Sequence, residues 1–345
     1  MKKVLAILLA LSMALVLFAC APDAPAPAAD ARAPAADAPA HAPEPEAPAE
    51  PVEQIFRVGV SLPPILNDYH ANMREMILEE IDKAPPNFEF EVVGAADEND
   101  QVRVLEVFYE QNFDAVLISP FNGTLVAPIA EQIYNSGTVV VHVNRRMDTE
   151  NYTSFVALDN YEAGRVAAIE LGNYLGGEGT VYSGIMVAGT PIANERQGGF
   201  ADEIAANWPG IEIIGESEFL NTYEGGLEGM QIALQAHPHI DAVYTHDDNA
   251  GMAAAQVIMD AGRYVGQGGD VQILITLGGT RRVFEELENP DQPIKIVIGT
   301  FPTMGPDGLL AVIDILEGRT VPKDMLTPPI IVLPGQTDAV AHMAY

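Results

Sequence analysis

Short apolar segments alternate with helical patterns through residues 55–345, and this alternation limits the possible folds more than any other feature of the chain. Several segments are almost wholly apolar and β-branched, as in Val139-Val140-Val141, which is typical of strands buried on both faces of a parallel sheet. Strands that recur about every 25 to 35 residues with helices between them indicate right-handed βαβ units. The predicted strands form two sets, separated near residues 151–160. They are Phe56–Ser61, Glu89–Gly94, Ala115–Ser119 and Val139–Val143, then Thr180–Met186, Ile211–Ser217, Ala242–His246, Gln272–Thr276 and Lys295–Gly299.

Helices are predicted between these strands wherever apolar or small residues recur on one side of a helical pattern. Residues 55–345 also exceed what one hydrophobic core usually supports, so two domains are expected. The clearest helical patterns are Ala71–Lys83, Tyr161–Leu175, Met252–Ala261 and Leu309–Leu316.

The first twenty residues have the pattern of a secretory leader. Lys2 and Lys3 precede the apolar run Val4–Phe18. This run is shorter than the about 20 residues that a transmembrane helix needs. Cys20 is the only cysteine in the chain, and the segment that ends there resembles the lipobox of bacterial lipoproteins. We therefore predict a lipoprotein signal at 1–20 with lipid attached to Cys20. The alternative is an ordinary signal peptide that happens to contain a cysteine.

Residues 21–54 consist almost entirely of Ala, Pro, Asp and Glu, with Arg32, His41, Val52 and Gln54 as exceptions. A segment of this composition cannot bury a core and stays extended, with a reach on the order of 100 Å if fully stretched. We predict a disordered tether at 21–54. A low-complexity tail without a mechanical role has the same composition.

The charge balance excludes some partners. Removing Lys2 and Lys3 from the 17 basic residues leaves 15 against 49 acidic ones, a formal charge of −34. Nucleic acid and anionic lipid headgroups would repel such a chain, so we expect no nucleic-acid partner. The nucleotide-binding, hydrolase and zinc-protease motifs are missing from the sequence. We therefore expect no enzyme activity, no catalytic residue, no cofactor and no metal site.

Polar and aromatic residues follow several of the predicted strands. Open parallel sheets bind ligands at the carboxyl ends of their strands, so these residues are candidates for a shared site. Together they offer hydrogen-bond donors, acceptors and aromatic faces, the mixture that a hydroxyl-rich ligand needs. The candidates are Asn67, Tyr69 and His70, then Asn144 and Arg145, then Asn194 and Arg196, then Asp247, and finally Thr300.

Each candidate also has a structural interpretation. A polar residue after a strand often caps the next helix, and Asp248 before the helix near Met252 could be only that. Arg145 and Arg146 are adjacent, so at most one is expected to face inward. Tyr69 could be a core aromatic residue, and His70 could be a structural histidine.

Four stretches of the body resemble the periplasmic sugar-binding proteins of the ribose- and galactose-binding type. They are Val139–Arg145, Leu158–Gly164, Ala188–Phe200 and Asp241–Ala250, and they occur in the order that this family has. The resemblance covers about residues 56–334. It implies a type I periplasmic-binding-protein fold, in which two similar αβα lobes with parallel sheets are joined by a three-crossover hinge and a sugar is clamped between them.

The resemblance also implies roles for individual residues. Asn67 matches a polar contact, and Tyr69 and His70 match paired aromatic positions that stack on the sugar. Asn144 and Arg145 match an Asp-Arg pair that grips hydroxyls. Arg196 matches the arginine of the second lobe, and Asp247 matches an Asn or Asp that contacts the ligand. Thr300 matches a polar ligand contact on the last crossover, and Asn221 lies near another ligand-contact position.

Three departures from the family pattern affect the predicted ligand. Asn144 and Gly278 each replace an Asp, and His70 replaces an aromatic residue. Two carboxylate acceptors are therefore missing beside two retained arginines, although Asp159 and Asp247 could still supply charge. We hypothesise that the ligand is not plain ribose, and that it is either bulkier or carries a carboxylate or phosphate.

These observations predict an extracytoplasmic solute-binding lipoprotein that captures a sugar or sugar-like ligand and delivers it to the permease of an ABC importer. The expected lobes are 55–158 with 301–328 and 159–300 with 329–345. The protein is expected to be a monomer, anchored by lipid to the membrane at the cell surface or in the periplasm. The alternative is a ligand-binding receptor domain that feeds a chemotaxis or two-component sensor. A transcription regulator is excluded because a leader and a tether stand where a helix-turn-helix would be.

Overall fold

The computed structural model describes residues 54–345 of the chain. The expectations for the leader at 1–20, for Cys20 and for residues 21–53 of the tether fall outside this range. Among the residues that the structure describes, no helix is both long and apolar enough to cross a membrane.

Strands and helices alternate along the described residues. The strands are β1 (Phe56–Leu62), β2 (Phe88–Gly94), β3 (Ala115–Ile118), β4 (Val139–Val143), β5 (Ser154–Leu158), β6 (Glu178–Ile185), β7 (Gly210–Glu218), β8 (Ala242–Thr245), β9 (Ile273–Gly278), β10 (Ile294–Gly299), β11 (Asp324–Thr327) and β12 (Ile330–Val332). The α-helices are α1 (Asp68–Ile81), α2 (Glu98–Glu110), α3 (Gly123–Asn135), α4 (Asn160–Leu175), α5 (Pro191–Asn207), α6 (Tyr223–Ala236), α7 (Asp248–Asp260), α8 (Arg281–Glu288), α9 (Met304–Leu316) and α10 (Thr337–Val340).

The strands form two sheets with the same topology. The first sheet has the order β11-β5-β4-β3-β1-β2, and all its strands are parallel. The second has the order β12-β10-β9-β8-β6-β7, and only β12 runs antiparallel to its neighbour. The chain passes between the sheets after β5, after β10 and between β11 and β12. Two parallel-sheet α/β lobes are therefore present, and the predicted fold class is confirmed.

Helices cover both faces of each sheet because successive strand residues point to opposite sides. In β3, Leu117 packs with α1 and α9, whereas Val116 and Ile118 pack with α2 and α3. In β8, Tyr244 packs against Phe200 of α5 with ring centroids 4.1 Å apart. Burial on both faces explains the nearly continuous apolar runs of these strands.

Three strands were not predicted. Strand β5 lies inside the supposed break at 151–160 and is fully buried, whereas β11 and β12 are short and half-exposed. Four apolar residues bounded by polar ones give no periodic signal. An edge strand of three or four residues is defined mainly by the strand that it joins.

The helices begin earlier than predicted, because the polar residues after the strands form their first turns. Helix α1 begins at Asp68 instead of Ala71, and α7 begins at Asp248 instead of Met252. These helix starts bring the polar side chains to the carboxyl ends of the strands, where the two sheets face each other.

Candidate functional site

A cavity of about 320 Å³ lies at the carboxyl ends of the strands of both sheets. Its volume is at the lower end of the range of small-molecule sites. Side chains of both lobes line it, so a ligand held there would touch both. The residues proposed from the sequence that line it are Asn67, Tyr69, His70, Asn144, Arg145, Arg196, Asn221, Asp247 and Thr300.

Asn194 is the one sequence candidate that does not line the cavity. It lies exposed on the first turn of α5, while the neighbouring Ala193 turns inward and is buried. Two residues further along the helix, Arg196 faces the cavity. From the sequence, residues 193, 194 and 196 were assigned to one loop. Because they lie on a helix instead, the rotation of about 100° per residue points their side chains in different directions.

The first loop places Asn67, Tyr69 and His70 at the start of α1. Asn67 caps the helix, because its Oδ1 accepts a hydrogen bond of 3.1 Å from the backbone N–H of His70. The Tyr69 hydroxyl lies 3.1 Å from the Met304 sulfur and 3.4 Å from Asn144 Oδ1. Burial, together with the charge of Arg145, lowers the pKa of His70 to about 4. His70 is therefore a neutral imidazole at physiological pH.

Arg145 and Arg196 are the two cationic side chains of the cavity. Arg145 Nη1 donates a 2.8 Å hydrogen bond to the Phe121 carbonyl. Arg196 donates from Nε to Asn160 Oδ1 at 2.9 Å and from Nη1 to the His246 carbonyl at 2.5 Å. Within residues 54–345 neither arginine forms an ion pair with a carboxylate. Because a guanidinium has five N–H groups, these bonds leave donors free for a ligand.

The neighbouring Arg146 has a different environment. It is exposed and pairs with Asp324 at 3.0 Å, and its guanidinium lies 4.2 Å from the ring centroid of Phe155. Of the two adjacent arginines, only Arg145 lines the 320 Å³ cavity.

Asp247 caps α7 and also lines the cavity. Its Oδ1 accepts hydrogen bonds from the backbone N–H groups of Asn249 at 3.0 Å and Ala250 at 3.3 Å. Burial and the adjacent Asp248 carboxyl raise the pKa of Asp247 to about 7. The side chain of Asp247 thus caps the helix and also lines the cavity. A structural role as a helix cap and a role in ligand binding do not exclude each other.

Asp248 lies in the space beside Gly278, the position at which the family resemblance implies an aspartate. Its Oδ2 accepts hydrogen bonds from the backbone N–H groups of Gly279 at 3.0 Å and Thr280 at 2.9 Å. Position 278 therefore has no carboxylate of its own, but Asp248 at the start of α7 places a carboxyl group beside it. Burial raises the pKa of Asp248 as well.

Several residues of the cavity wall were not proposed from the sequence, and two of them are His246 and Tyr345. His246 is buried at the end of β8, and both of its ring nitrogens lack a hydrogen-bond partner among the described residues. Its place after a strand was a usable signal, but it was assigned to the strand itself. Tyr345 lies in a segment far from any predicted strand, and no local pattern indicates its position.

A family model described as "Periplasmic binding protein domain" matches residues 58–320 of the chain. Among curated proteins, the ribose import binding protein of Bacillus subtilis (strain 168) is 26% identical over 277 residues. That match covers 79% of this chain and 86% of the relative. The match to the family model includes strands of both sheets, from within β1 to β10, and the residues that line the cavity up to Thr300.

Solved structures with the same fold include solute-binding proteins. One is an ABC transporter solute binding protein from Bacillus halodurans C-125 with bound myo-inositol. It is 21% identical, has a TM-score of 0.72, and the match covers 85% of this chain and 100% of that one. Another is the fructose binding periplasmic domain of a hybrid two component system. It is 25% identical, has a TM-score of 0.71, and the match covers 83% and 93% of the two chains.

Proposed function

The chain belongs to the periplasmic binding protein domain family, and on that premise we propose that it captures a sugar or sugar-like ligand for an ABC importer. The observation that carries this proposal is the cavity, in which residues of both lobes combine two half-buried guanidiniums, amide and hydroxyl groups, and aromatic rings. This is the combination that binds the C–H faces and the adjacent hydroxyls of a polyol. The relatives named for ribose import and for binding myo-inositol support the same class of ligand.

The mechanism that fits this site is hinge closure. The three connections between the sheets would act as the hinge, and the lobes would consist of 55–158 with 301–328 and of 159–300 with 329–345. A ligand that contacts Arg145 in one lobe and Arg196 in the other favours the closed form over the open form. Closure changes the outer surface of the protein, which a permease can recognise. No covalent bond is made or broken, so we assign no catalytic residue.

The charges of the cavity favour a ligand with an anionic group. Arg145 and Arg196 are half-buried cations. Burial raises the pKa values of Asp247 and Asp248 and so reduces the negative charge in the same cavity. A carboxylate or phosphate on the ligand would accept the remaining guanidinium hydrogen bonds in pairs. We therefore propose a sugar acid or sugar phosphate rather than plain ribose.

A thermal-shift screen tests both parts of this proposal, because a ligand that binds only the folded form raises its melting temperature. The panel contains D-ribose, D-galactose, D-allose, myo-inositol, D-galacturonate, D-gluconate, ribose 5-phosphate and glucose 6-phosphate. We expect at least one compound to stabilise residues 54–345, and the anionic compounds to give the larger shifts. Larger shifts with neutral pentoses would contradict the anionic ligand, and no shift with any compound would contradict sugar binding.

The location of the protein is a separate proposal. Relatives of this family act outside the cytoplasm, and the segment around Cys20 resembles a lipobox, so we propose a lipid anchor on Cys20 and a flexible tether at 21–54. The test is Cys20→Ser in the full chain, followed by metabolic labelling with a fatty acid and fractionation of the cells. We expect label in the membrane fraction with Cys20 and neither label nor membrane association with Cys20→Ser. Equal labelling of both chains would contradict the anchor.

A second function uses the same site. The similarity to a fructose binding domain of a hybrid two component system favours a receptor that reports ligand occupancy to a sensor. The two functions differ in the partner, so a deletion strain separates them. Loss of uptake of the bound compound supports the importer, whereas normal uptake with loss of the transcriptional response supports the sensor.

A further inference from the structure

Tyr345 lies in the wall of the cavity, although the sequence around it gives no indication of a ligand site. Its backbone N–H donates a 3.2 Å hydrogen bond to the Gly279 carbonyl, and its backbone oxygen accepts a 2.9 Å hydrogen bond from the Arg281 N–H. These bonds fix the residue beside the loop between β9 and α8, at the carboxyl end of the second sheet. Its side chain is one of those that line the cavity.

The ring of Tyr345 meets the ring of Tyr69 edge to face. Their centroids are 5.6 Å apart, and the ring planes make an angle of 86°. Tyr69 belongs to α1 on the first sheet, whereas Tyr345 is bonded to the second. This geometry is the favourable one for two aromatic rings, and here it joins the two lobes at the cavity.

A glycine makes room for this ring. A β-carbon on Gly279 would lie 3.2 Å from Tyr345 Cε1 and 2.9 Å from Phe301 Cδ1, closer than ordinary van der Waals contact. Any side chain at position 279 would therefore push the tyrosine ring or the phenylalanine ring away. The glycine after β9 thus leaves space for the ring of Tyr345, which comes from a distant part of the chain.

The polar end of Tyr345 is held near the charged groups of the cavity. Burial and the nearby carboxyls of Asp248 and Asp247 raise the pKa of the Tyr345 hydroxyl well above its usual value. The hydroxyl therefore stays protonated and remains a hydrogen-bond donor. Ring and hydroxyl together offer an apolar face and a polar edge, as a sugar requires.

The neighbouring position supports a specific role for this ring. The family resemblance implies paired aromatic residues at 69 and 70, but residue 70 is a histidine whose ring centroid lies 6.0 Å from that of Tyr69. The second large aromatic ring beside Tyr69 is that of Tyr345.

We propose that Tyr345 is a ligand-binding residue, and that its ring packs beside Tyr69 against the C–H face of the sugar. This inference rests on the proposed function and assigns one further residue to the same site. It predicts that a ligand with a continuous apolar face depends on residue 345 for affinity. Because Tyr345 also touches Tyr69, the ring contributes to the closed arrangement of the lobes.

Isothermal titration calorimetry with the best-stabilising compound of the eight-compound panel tests this proposal. The variants are Tyr345→Ala, which removes the ring, Tyr345→Phe, which removes only the hydroxyl, and the matched control His342→Ala at an exposed position of the same segment. We expect the Kd to rise about tenfold or more in Tyr345→Ala, to change much less in Tyr345→Phe, and to be unaltered in His342→Ala.

The outcomes separate this inference from the function on which it rests. If no compound stabilises the wild-type protein, both fail together. If a compound binds the wild type and Tyr345→Ala equally well, Tyr345 has no binding role and only this inference fails. Should Tyr345→Ala be unfolded by circular dichroism, Tyr345→Leu replaces it, because leucine keeps apolar bulk without an aromatic face, and wild-type affinity in that variant overturns the inference.

Discussion

The carboxyl group of Asp248 occupies the space that a side chain on Gly278 would need. A β-carbon on Gly278 would overlap the Asp248 side chain. The carboxylate instead accepts hydrogen bonds from the two backbone N–H groups that follow Gly278. The glycine at position 278 therefore does more than remove the aspartate of the family pattern. It leaves space for the Asp248 carboxyl group at the same place in the cavity.

Gly278→Ala is expected to destabilise the protein by about 1–3 kcal/mol, because the added methyl group forces the buried Asp248 carboxylate away from its two amide donors. Urea unfolding of residues 54–345 measures the change. The matched control is Gly198→Ala, because the nearest atom to a β-carbon there is 3.9 Å away and alanine favours a helix. Equal stability of the two variants would contradict the steric conflict at position 278.

Asn144→Ala is expected to reduce both stability and ligand affinity. Asn144 has a φ of 70° and lies with its Oδ1 3.4 Å from the Tyr69 hydroxyl. Alanine in this backbone conformation costs about 1 kcal/mol, measurable by urea unfolding. Exposed Asn112 has a φ of 53°, so Asn112→Ala carries the same backbone cost without touching the cavity. If both variants keep the ligand-induced thermal shift of the wild type, Asn144 takes no part in binding.

Arg196→Lys is expected to abolish most ligand affinity although it preserves the positive charge. The guanidinium donates to Asn160 and to the His246 carbonyl with different nitrogens, and a single ammonium group cannot reproduce that planar arrangement. Losing these bonds costs the ligand-free protein about 2 kcal/mol. The control is Arg319→Lys, since Arg319 is an exposed arginine that pairs with Asp314 and Glu317. Calorimetry that finds wild-type affinity in Arg196→Lys would show that the guanidinium geometry is unimportant.

His142→Leu is expected to make the protein more resistant to acid. Burial in β4, with a contribution from Arg146, lowers the pKa of His142 to about 3. Between pH 6.5 and that value the unfolded chain binds a proton that the folded protein does not, so stability falls as the pH falls. Leucine removes this effect, which amounts to about 3 kcal/mol at pH 4.

The measurement for His142 is the free energy of unfolding between pH 4 and pH 7. Both ring nitrogens of His142 lack partners among the described residues, so leucine should also stabilise at pH 7. The same substitution at exposed His342 is the control. An equal change in the pH profile of both variants would mean that burial of His142 is not the cause.

Much of the site was predictable because ligands of parallel α/β sheets bind at the carboxyl ends of strands. Asn67 and Asp247 could be proposed because each follows a recognisable apolar strand. Asn194 lies outside the cavity wall. The sequence could not fix the start of α5 to one residue, and on a helix a shift of one residue changes the direction of the side chain. His246 was not proposed as a site residue because it continues the apolar pattern of the preceding strand and was assigned to that strand.

The sequence by itself determined the alternation of strands and helices, the two parallel sheets, and most of the polar groups at the strand ends, because each of these depends on neighbours within a few turns or one strand. Only the tertiary structure decided that Asp248 fills the space beside Gly278 and that Tyr345 meets Tyr69 across the cavity. These pairs are separated by 30 and 276 positions in the chain. Packing between distant segments depends on the whole arrangement of the sheets, which no local pattern encodes.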